Sequence, residues 1–171
     1  MDHELERFLG GLHTARALVD GTYVERQGLG KYVVFTEIAE IEEYFERLAR
    51  EKPLTAYDTE TGSLRYWDTK FPHLLSLHFS DAVGFGYTVP FDHPDSPWRI
   101  GGPKQEERKA LVRVLRRFFE DESIPKIGQN EKFDRQHIKH RLLCEVRGVV
   151  RDTMTTHLML DDRRGTHGLL S

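Results

Sequence analysis

Apolar residues recur along the chain in two patterns, one typical of strands and the other of helices. Runs that are rich in β-branched and aromatic residues, or that alternate in polarity, predict strands at residues 31–35, 54–60, 74–80, 83–89, 126–128 and 149–150. Apolar positions three and four residues apart predict helices at residues 37–50, 104–121, 131–143 and 153–160. Residue types that favour helix N-caps precede three of these helices, and we expect caps at Thr36, Asn130 and Asp152.

The order of these elements predicts an α/β fold. The three strands between residues 54 and 89 follow one another without a helix, and only Asp81 and Ala82 separate the last two, which predicts an antiparallel meander. The later strands alternate with helices, which predicts parallel strands in the same mixed sheet and helices that flank it. We expect residues 31–171 to form this domain and residues 1–30 to be an N-terminal extension.

Composition narrows the function classes. The chain has 171 residues, 38% of them hydrophobic, which suits one domain with its own core. A net charge of -3 excludes nucleic-acid binding by bulk positive charge, but not a nuclease whose metal ions supply the local charge. No apolar run reaches the roughly 18 residues of a membrane helix, so we expect no membrane partner. Cys144 is the only cysteine, which leaves no internal disulfide and favours a cytoplasmic location.

Two acids, Asp58 and Glu60, end the second predicted strand. Because alternate residues of a strand share a face, both should lie in line with Leu54 and Ala56, at the end of an apolar face. Two carboxylates near a core repel each other unless one is protonated or a cation binds them. Carboxylate oxygens are the ligands that Mg²⁺ and Mn²⁺ prefer. The pair predicts a divalent metal site, and the alternative is two solvated loop acids.

A third acid, Asp134, falls in the first turn of a predicted helix, on the side of the inward-facing Ile138. An inward acid at this position is either stabilised by the helix dipole or bound to a positive group. Gln129 and Asn130 precede it, with amides able to bind a phosphate or a base edge. Both interpretations of Asp134, a metal ligand or an ordinary helix acid, stay open at this point.

Three segments resemble motifs of one enzyme family. Tyr57-Asp-Thr-Glu-Thr-Gly-Ser-Leu64 resembles its first exonuclease motif, Asp-x-Glu with a leucine six residues after the aspartate. Gly128-Gln-Asn-Glu-Lys-Phe-Asp134 resembles the second motif, and Asp152-Thr-Met-Thr-Thr-His-Leu-Met-Leu-Asp161, with His167-Gly-Leu after it, resembles the segment that comes next. The family is the proofreading 3′–5′ exonuclease domain of family A (Pol I-type) DNA polymerases, in the DnaQ-like branch of the ribonuclease H-like fold. The resemblance covers about residues 31–171.

The resemblance implies a ribonuclease H-like fold and hydrolysis of the terminal phosphodiester of single-stranded DNA by two Mg²⁺ or Mn²⁺ ions, about 3.5–4 Å apart. Asp58 would bridge both ions, Glu60 would hold the first and Asp134 would reach the second. Leu64 would wedge beside the terminal base. The complete set of implied substrate-binding residues is Thr61, Leu64, Gln129, Asn130 and Phe133. A polymerase domain, in the same parent chain or a separate one, is the implied partner.

The family's fourth acid has no counterpart in the expected place. It belongs to a later helix, as Tyr-x-x-x-Asp or His-x-x-x-x-Asp, whereas His157 and Asp162 have the second spacing at a helix end and a loop. Three explanations stay open: a domain that lacks its last helices, an exonuclease completed by another chain, or an inactive module that binds DNA or a polymerase partner. We expect the first, with a C-terminally incomplete fold and impaired activity. An RNase D-like 3′–5′ exoribonuclease is a further alternative, since both branches use the same four acids.

Overall fold

A computed structural model describes residues 30–68, 70 and 74–160 of the chain. Within these ranges the chain forms six β-strands and four α-helices, so every predicted element is present with small shifts of its bounds. In chain order they are β1 (Lys31–Val34), α1 (Ile38–Glu51), β2 (Thr55–Glu60), β3 (Ser76–Ser80), β4 (Phe85–Pro90), α2 (Arg108–Glu120), β5 (Lys126–Gly128), α3 (Glu131–Leu142), β6 (Val149–Asp152) and α4 (Thr153–Leu160). The expected N-terminal extension, apart from Gly30, and residues 161–171 lie outside the described residues. None of the described helices combines the length and the apolar character that crossing a membrane requires.

The six strands form one mixed sheet in the order β1-β4-β3-β2-β5-β6. Strand β3 runs antiparallel to both of its neighbours, which confirms the predicted meander of β2, β3 and β4. The other neighbouring pairs are parallel. The five strands other than β3 therefore point the same way, and their carboxyl ends, including Glu60, Gly128 and Asp152, lie at one edge of the sheet. We call this the carboxyl edge, and it is where sheets of this class hold their ligands.

One face of the sheet, here called the helix face, packs against α1 and α2 through aromatic side chains. Phe79 of β3 contacts Phe45 of α1, with ring centroids 5.0 Å apart, and Phe118 of α2, with ring centroids 5.4 Å apart. Tyr57 of β2 contacts Phe119 of α2 edge-on at 5.6 Å. Edge-to-face pairs of this kind add about 0.5–1.5 kcal/mol each beyond the area that they bury. This aromatic layer fixes which side of β2 faces the core.

The opposite face of the sheet, here called the exposed face, holds the two acids of β2. Thr55, Tyr57 and Thr59 are buried on the helix face, whereas Asp58 and Glu60 are exposed. The expectation that the acids end a buried apolar face is therefore wrong. Only one side of β2 can pack against the helices. The large ring of Tyr57 buries far more apolar surface against α2 than the small side chains on the other side would bury.

Of the three expected helix caps, one is wrong, one has the expected position without a capping hydrogen bond, and one is confirmed. The N-cap position of α1 is Glu37 rather than Thr36, and the Thr36 carbonyl instead accepts a hydrogen bond from Lys104 Nζ at 2.8 Å. Asn130 occupies the N-cap position of α3, but its side chain makes no capping hydrogen bond. Asp152 caps α4 as expected, because its Oδ1 accepts hydrogen bonds from two backbone N–H groups of that helix. Helix α3 therefore needs a cap from elsewhere in the chain.

A buried carboxylate ties the loop after β4 to α2 and α3. Asp92 accepts a hydrogen bond from Arg108 Nη2 at 2.7 Å and another from Arg141 Nη2. The Arg108 guanidinium also lies over the Phe91 ring, 4.0 Å from its centroid. Since Arg108 begins α2 and Arg141 lies in the last turn of α3, Asp92 holds the ends of both helices against the sheet.

Candidate active site

Asp58 and Glu60 lie on the exposed face, where β2 reaches the carboxyl edge. In the antiparallel register Asp58 is opposite His78 of β3, and Glu60 is opposite Ser76. The His78 ring lies between two hydroxyls, with Nε2 2.9 Å from the Ser76 Oγ and Nδ1 3.0 Å from the Thr88 Oγ1. The two acids therefore border a hydrogen-bonded polar row on β3 and β4. Both carboxylates are accessible to a ligand that approaches this face.

Asp134 approaches β2 from the first turn of α3. The residue is only 2% exposed, and its Oδ1 accepts a hydrogen bond from the Thr59 hydroxyl at 2.5 Å. Burial raises the pKa of the Asp134 carboxyl to about 7; the Thr59 hydrogen bond opposes this shift, and the negative charge of Asp58 adds to it. The predicted inward orientation of Asp134 is confirmed. The acid is thus close enough to Asp58 for the two charges to interact.

The turn between β5 and α3 brings the two predicted amides to the carboxyl edge. Asn130 adopts a left-handed backbone conformation, with φ 54°, immediately before α3. Its backbone N–H donates to Asp152 Oδ1 at 3.0 Å, and the Thr153 hydroxyl donates to Gln129 Oε1. The β6–α4 junction therefore holds this turn. Sequence reasoning identified Asp152 as the cap of α4 and missed its contact with α3, for which no local signal exists, because the two lie more than 20 residues apart.

The remaining residues expected to bind substrate lie on the segment after β2 and on α3. Thr61 follows β2 directly, and its hydroxyl donates to the Ser63 carbonyl at 3.1 Å. Leu64 is 86% exposed, so its side chain is available to pack on a bound base. Phe133 is half-buried on α3, with its ring centroid 4.6 Å from that of His137. Contact of these residues with a substrate stays a prediction.

The three acids carry the oxygen donors that a divalent cation prefers, but only two of them lie on the same face of the sheet. Asp58 and Glu60 present hard oxygen ligands on one face of β2, but the Asp134 carboxyl is hydrogen-bonded to Thr59, which points to the helix face. Across the ranges that the structure describes, no group of three His, Cys, Asp or Glu side chains is gathered closely enough to hold an ion. The exposed acid pair has the donor chemistry that suits a divalent cation. Asp134 as a third ligand stays a prediction.

Comparison with known proteins identifies the family. Residues 32–171, most of the chain, match the family model described as 3′–5′ exonuclease. The chain belongs to this exonuclease family. It is also 30% identical over 139 residues to DNA polymerase I of Pseudomonas aeruginosa, an alignment that covers 81% of the chain and 14% of the polymerase. The exonuclease chain thus spans about one seventh of that relative's length, and the predicted resemblance to family A exonucleases is confirmed.

Solved structures with the same fold include other exonucleases. RNase D of Escherichia coli, described as an exoribonuclease involved in structured RNA processing, aligns with a TM-score of 0.57 at 18% identity, over 81% of this chain and 31% of that one. The EXD2 exonuclease domain soaked in Mn and GMP aligns with a TM-score of 0.53 at 22% identity, over 82% and 65% of the two chains. Trypanosoma brucei RNase D in complex with RNA U12 aligns with a TM-score of 0.54 at 15% identity, over 77% and 41%. At these identities the likeness shows the fold alone, and it confirms the predicted ribonuclease H-like class.

Proposed function

We propose that this chain is the proofreading 3′–5′ exonuclease module of a DNA polymerase, which removes nucleotides from the 3′ end of single-stranded DNA. The observation behind the proposal is the placement of three acids at the carboxyl edge: Asp58 and Glu60 lie on one face of β2, and the buried Asp134 contacts the neighbouring Thr59 from α3. The burial of Asp134 and the charge of Asp58 both raise the pKa of the Asp134 carboxyl. A divalent ion beside both groups would relieve the burial cost and the repulsion together. Family membership supports the reaction class, and the DNA polymerase I relative supports DNA rather than RNA as substrate.

Asp58, Glu60 and Asp134 would hold two Mg²⁺ or Mn²⁺ ions. When bound, such ions stabilise the attacking and leaving oxygens of an in-line displacement at phosphorus. Asp58 would contribute to both ions, Glu60 to the first and Asp134 to the second. To take part, Asp134 has to lose its proton, and a neighbouring cation favours this change because it stabilises the ionised carboxylate. The Thr59 hydroxyl donates to Oδ1, which leaves Oδ2 as the oxygen that would reach the ion.

The residues around the carboxyl edge would bind the last nucleotides of the strand. The exposed Leu64 would pack against the terminal base, while Gln129 and Asn130 would hydrogen-bond to the 3′ nucleotides. Thr61 and Phe133 would complete the binding surface on the segment after β2 and on α3. Contacts with the sugar-phosphate backbone read no sequence, which suits an enzyme that must remove any terminal nucleotide.

A polymerase domain is the partner that we infer. The inference is supported by the DNA polymerase I relative. The alignment with this chain covers 14% of that polymerase. We infer a cytoplasmic location from the cysteine content, since Cys144 is a single buried thiol with no second cysteine in the 171 residues.

A second candidate is a module that binds nucleic acid without cutting it. The observation in its favour is that the described residues gather no three-ligand metal site. A two-carboxylate site binds hard cations more weakly than a full set, and weak metal binding would lower the hydrolysis rate by orders of magnitude.

The test is the shortening of 5′-labelled single-stranded DNA in the presence of Mn²⁺, followed on denaturing gels. We expect the wild-type chain to shorten the strand from its 3′ end, and Asp58→Ala to do so about 100-fold more slowly. Glu43→Ala removes an exposed acid of α1, away from the carboxyl edge, and should leave the rate unchanged. An RNA strand of the same sequence, assayed in parallel, should be the poorer substrate.

Each outcome separates the candidates. Equal rates for the wild type and Asp58→Ala would exclude Asp58 from catalysis and would point to a contaminating nuclease. Binding of the DNA without any shortening would favour the second candidate. Faster shortening of RNA than of DNA would move the chain to the exoribonuclease class. Calorimetric titration with Mn²⁺ alone gives a readout that does not depend on turnover, and Asp58→Ala should abolish the binding.

A further inference from the structure

The carboxylate of Asp152 caps two helices at once. Its Oδ1 accepts hydrogen bonds from the backbone N–H of Met154 at 2.9 Å and of Thr155 at 3.4 Å, in the first turn of α4. The same carboxylate accepts hydrogen bonds from the backbone N–H of Asn130 and of Glu131, both at 3.0 Å, at the start of α3. The first N–H groups of a helix have no partner inside the helix, so one side chain here satisfies part of both sets.

The sheet makes this double contact possible. Strands β5 and β6 are parallel neighbours, and Gly128 pairs with Asp152 at their carboxyl ends. The turn that leaves β5 therefore begins beside the last residue of β6. The turn also adopts a conformation that is unusual for a residue with a side chain, because Asn130 has φ 54° and makes no capping hydrogen bond of its own. Asp152 supplies the cap that Asn130 does not.

We propose that Asp152 is a positioning residue of the candidate active site, acting through α3. The turn that it holds contains Gln129 and Asn130. The helix that it caps presents Asp134, from its first turn, to Thr59, the residue after Asp58 in β2. This inference rests on the proposed exonuclease function. It goes further in one respect: the backbone N–H groups of Asn130 and Glu131 are already bound to Asp152, so neither of these two donors is available to a substrate phosphate.

The discriminating variant is Asp152→Ser. Serine is a good N-cap for its own helix, so α4 keeps a cap, but its short side chain has one oxygen and cannot also satisfy α3. Asp152→Asn keeps the shape and one carbonyl oxygen, and it should show an intermediate effect. Asp121→Ser is the matched control, because Asp121 also accepts a backbone N–H, that of Ser123 at 2.9 Å, in a turn away from the carboxyl edge.

Three measurements on the full chain test the proposal, at a temperature where circular dichroism shows each variant to be folded. In Asp152→Ser we expect amide hydrogen exchange to become about 10-fold faster at Asn130 and Glu131, with exchange in α2 unchanged. We expect the dissociation constant for Mn²⁺ to rise and the turnover number on single-stranded DNA to fall, each by about 10-fold, the size of effect that supporting residues of metal sites show. Asp121→Ser should match the wild type in all three.

The outcomes distinguish this inference from the proposed function. If the wild-type chain neither binds Mn²⁺ nor shortens DNA, the proposed function fails and the role of Asp152 in it fails as well. If the wild type does both, and Asp152→Ser exchanges faster at α3 but keeps wild-type Mn²⁺ affinity and turnover, Asp152 is a structural cap only and the inference is overturned. A graded loss from Asp152→Asn to Asp152→Ser supports the positioning role.

Discussion

Asp134→Asn should stabilise the metal-free protein at neutral pH, although it replaces a predicted metal ligand. The buried Asp134 carboxyl has its pKa raised from 3.8 to about 7. Asparagine cannot ionise, has nearly the same shape, and keeps an oxygen that accepts the hydrogen bond from the Thr59 hydroxyl. The variant therefore removes the cost of ionising this group in the core and retains its contact.

The magnitude follows from the linkage between protonation and folding. Between pH 3.8 and pH 7 the native Asp134 holds its proton while the unfolded chain has lost it, so stability falls as the pH rises through this window. Each pH unit within it costs about 1.4 kcal/mol. The gap in unfolding free energy between Asp134→Asn and the wild type should therefore be small below pH 4 and should grow by about 2 kcal/mol from pH 5 to pH 7.

The assay is urea denaturation at pH 5, 6 and 7 in a buffer with a chelator, followed by circular dichroism. Asp121→Asn is a control without pH dependence in this range. Hydrogen bonds from Ser123 lower the pKa of Asp121 from its usual 3.8, so the stability that this carboxylate contributes changes only below about pH 4, and the gap between this variant and the wild type should be the same at pH 5, 6 and 7. A constant or shrinking gap between Asp134→Asn and the wild type across this range would refute the reasoning. It would mean that Asp134 is ionised in the metal-free core, and the proposed effect of a cation on its pKa would have no basis.

Three further predictions concern the stability of the fold and the burial of its one cysteine. Asp92→Ala leaves Arg108 and Arg141 without their shared anion, and its unfolding free energy in urea should fall by about 3 kcal/mol. Gly148→Ala should lose more than about 1 kcal/mol in the same assay, because Gly148 has φ +72° and an added Cβ would lie 2.7 Å from a backbone carbonyl oxygen. The Cys144 thiol, whose pKa burial raises to about 12, should not react with a thiol reagent at pH 8 in the native protein and should react fully in urea.

The sequence predicts the elements of this fold well and their faces less well. The meander of β2, β3 and β4 follows from alternation and from the short link at Asp81, both of which are local features. Alternation in β2 separates two sets of residues, but it does not show which set faces the helices. That choice depends on Tyr57 packing against Phe119, more than 60 residues away. The pairing of β1 with β4 at the sheet edge is likewise decided by tertiary contacts.

The residues of the candidate site likewise fall into those that the sequence predicts and those that only the structure reveals. Asp58, Glu60 and Asp134 stand out in the sequence because their chemistry and spacing are local, and the structure places the first two on one face of β2 and the third against Thr59. The bond of Asp152 to the start of α3 is visible only in the structure, because the contact depends on β5 and β6 being neighbours. Side chains that ligate can be predicted from motifs, whereas side chains that support a ligand through another element require the topology.

The exposure of Asp58 and Glu60 has a consequence for how metal loading relates to folding. Water solvates both carboxylates on the exposed face, so their repulsion is screened and the fold needs no ion to neutralise them. Structural zinc domains behave in the opposite way, since they unfold when their ion is removed. This chain should therefore keep its fold through cycles of chelation and metal return. Supply of the ion would then act on it as a reversible control of catalysis, while the amount of folded protein stays constant.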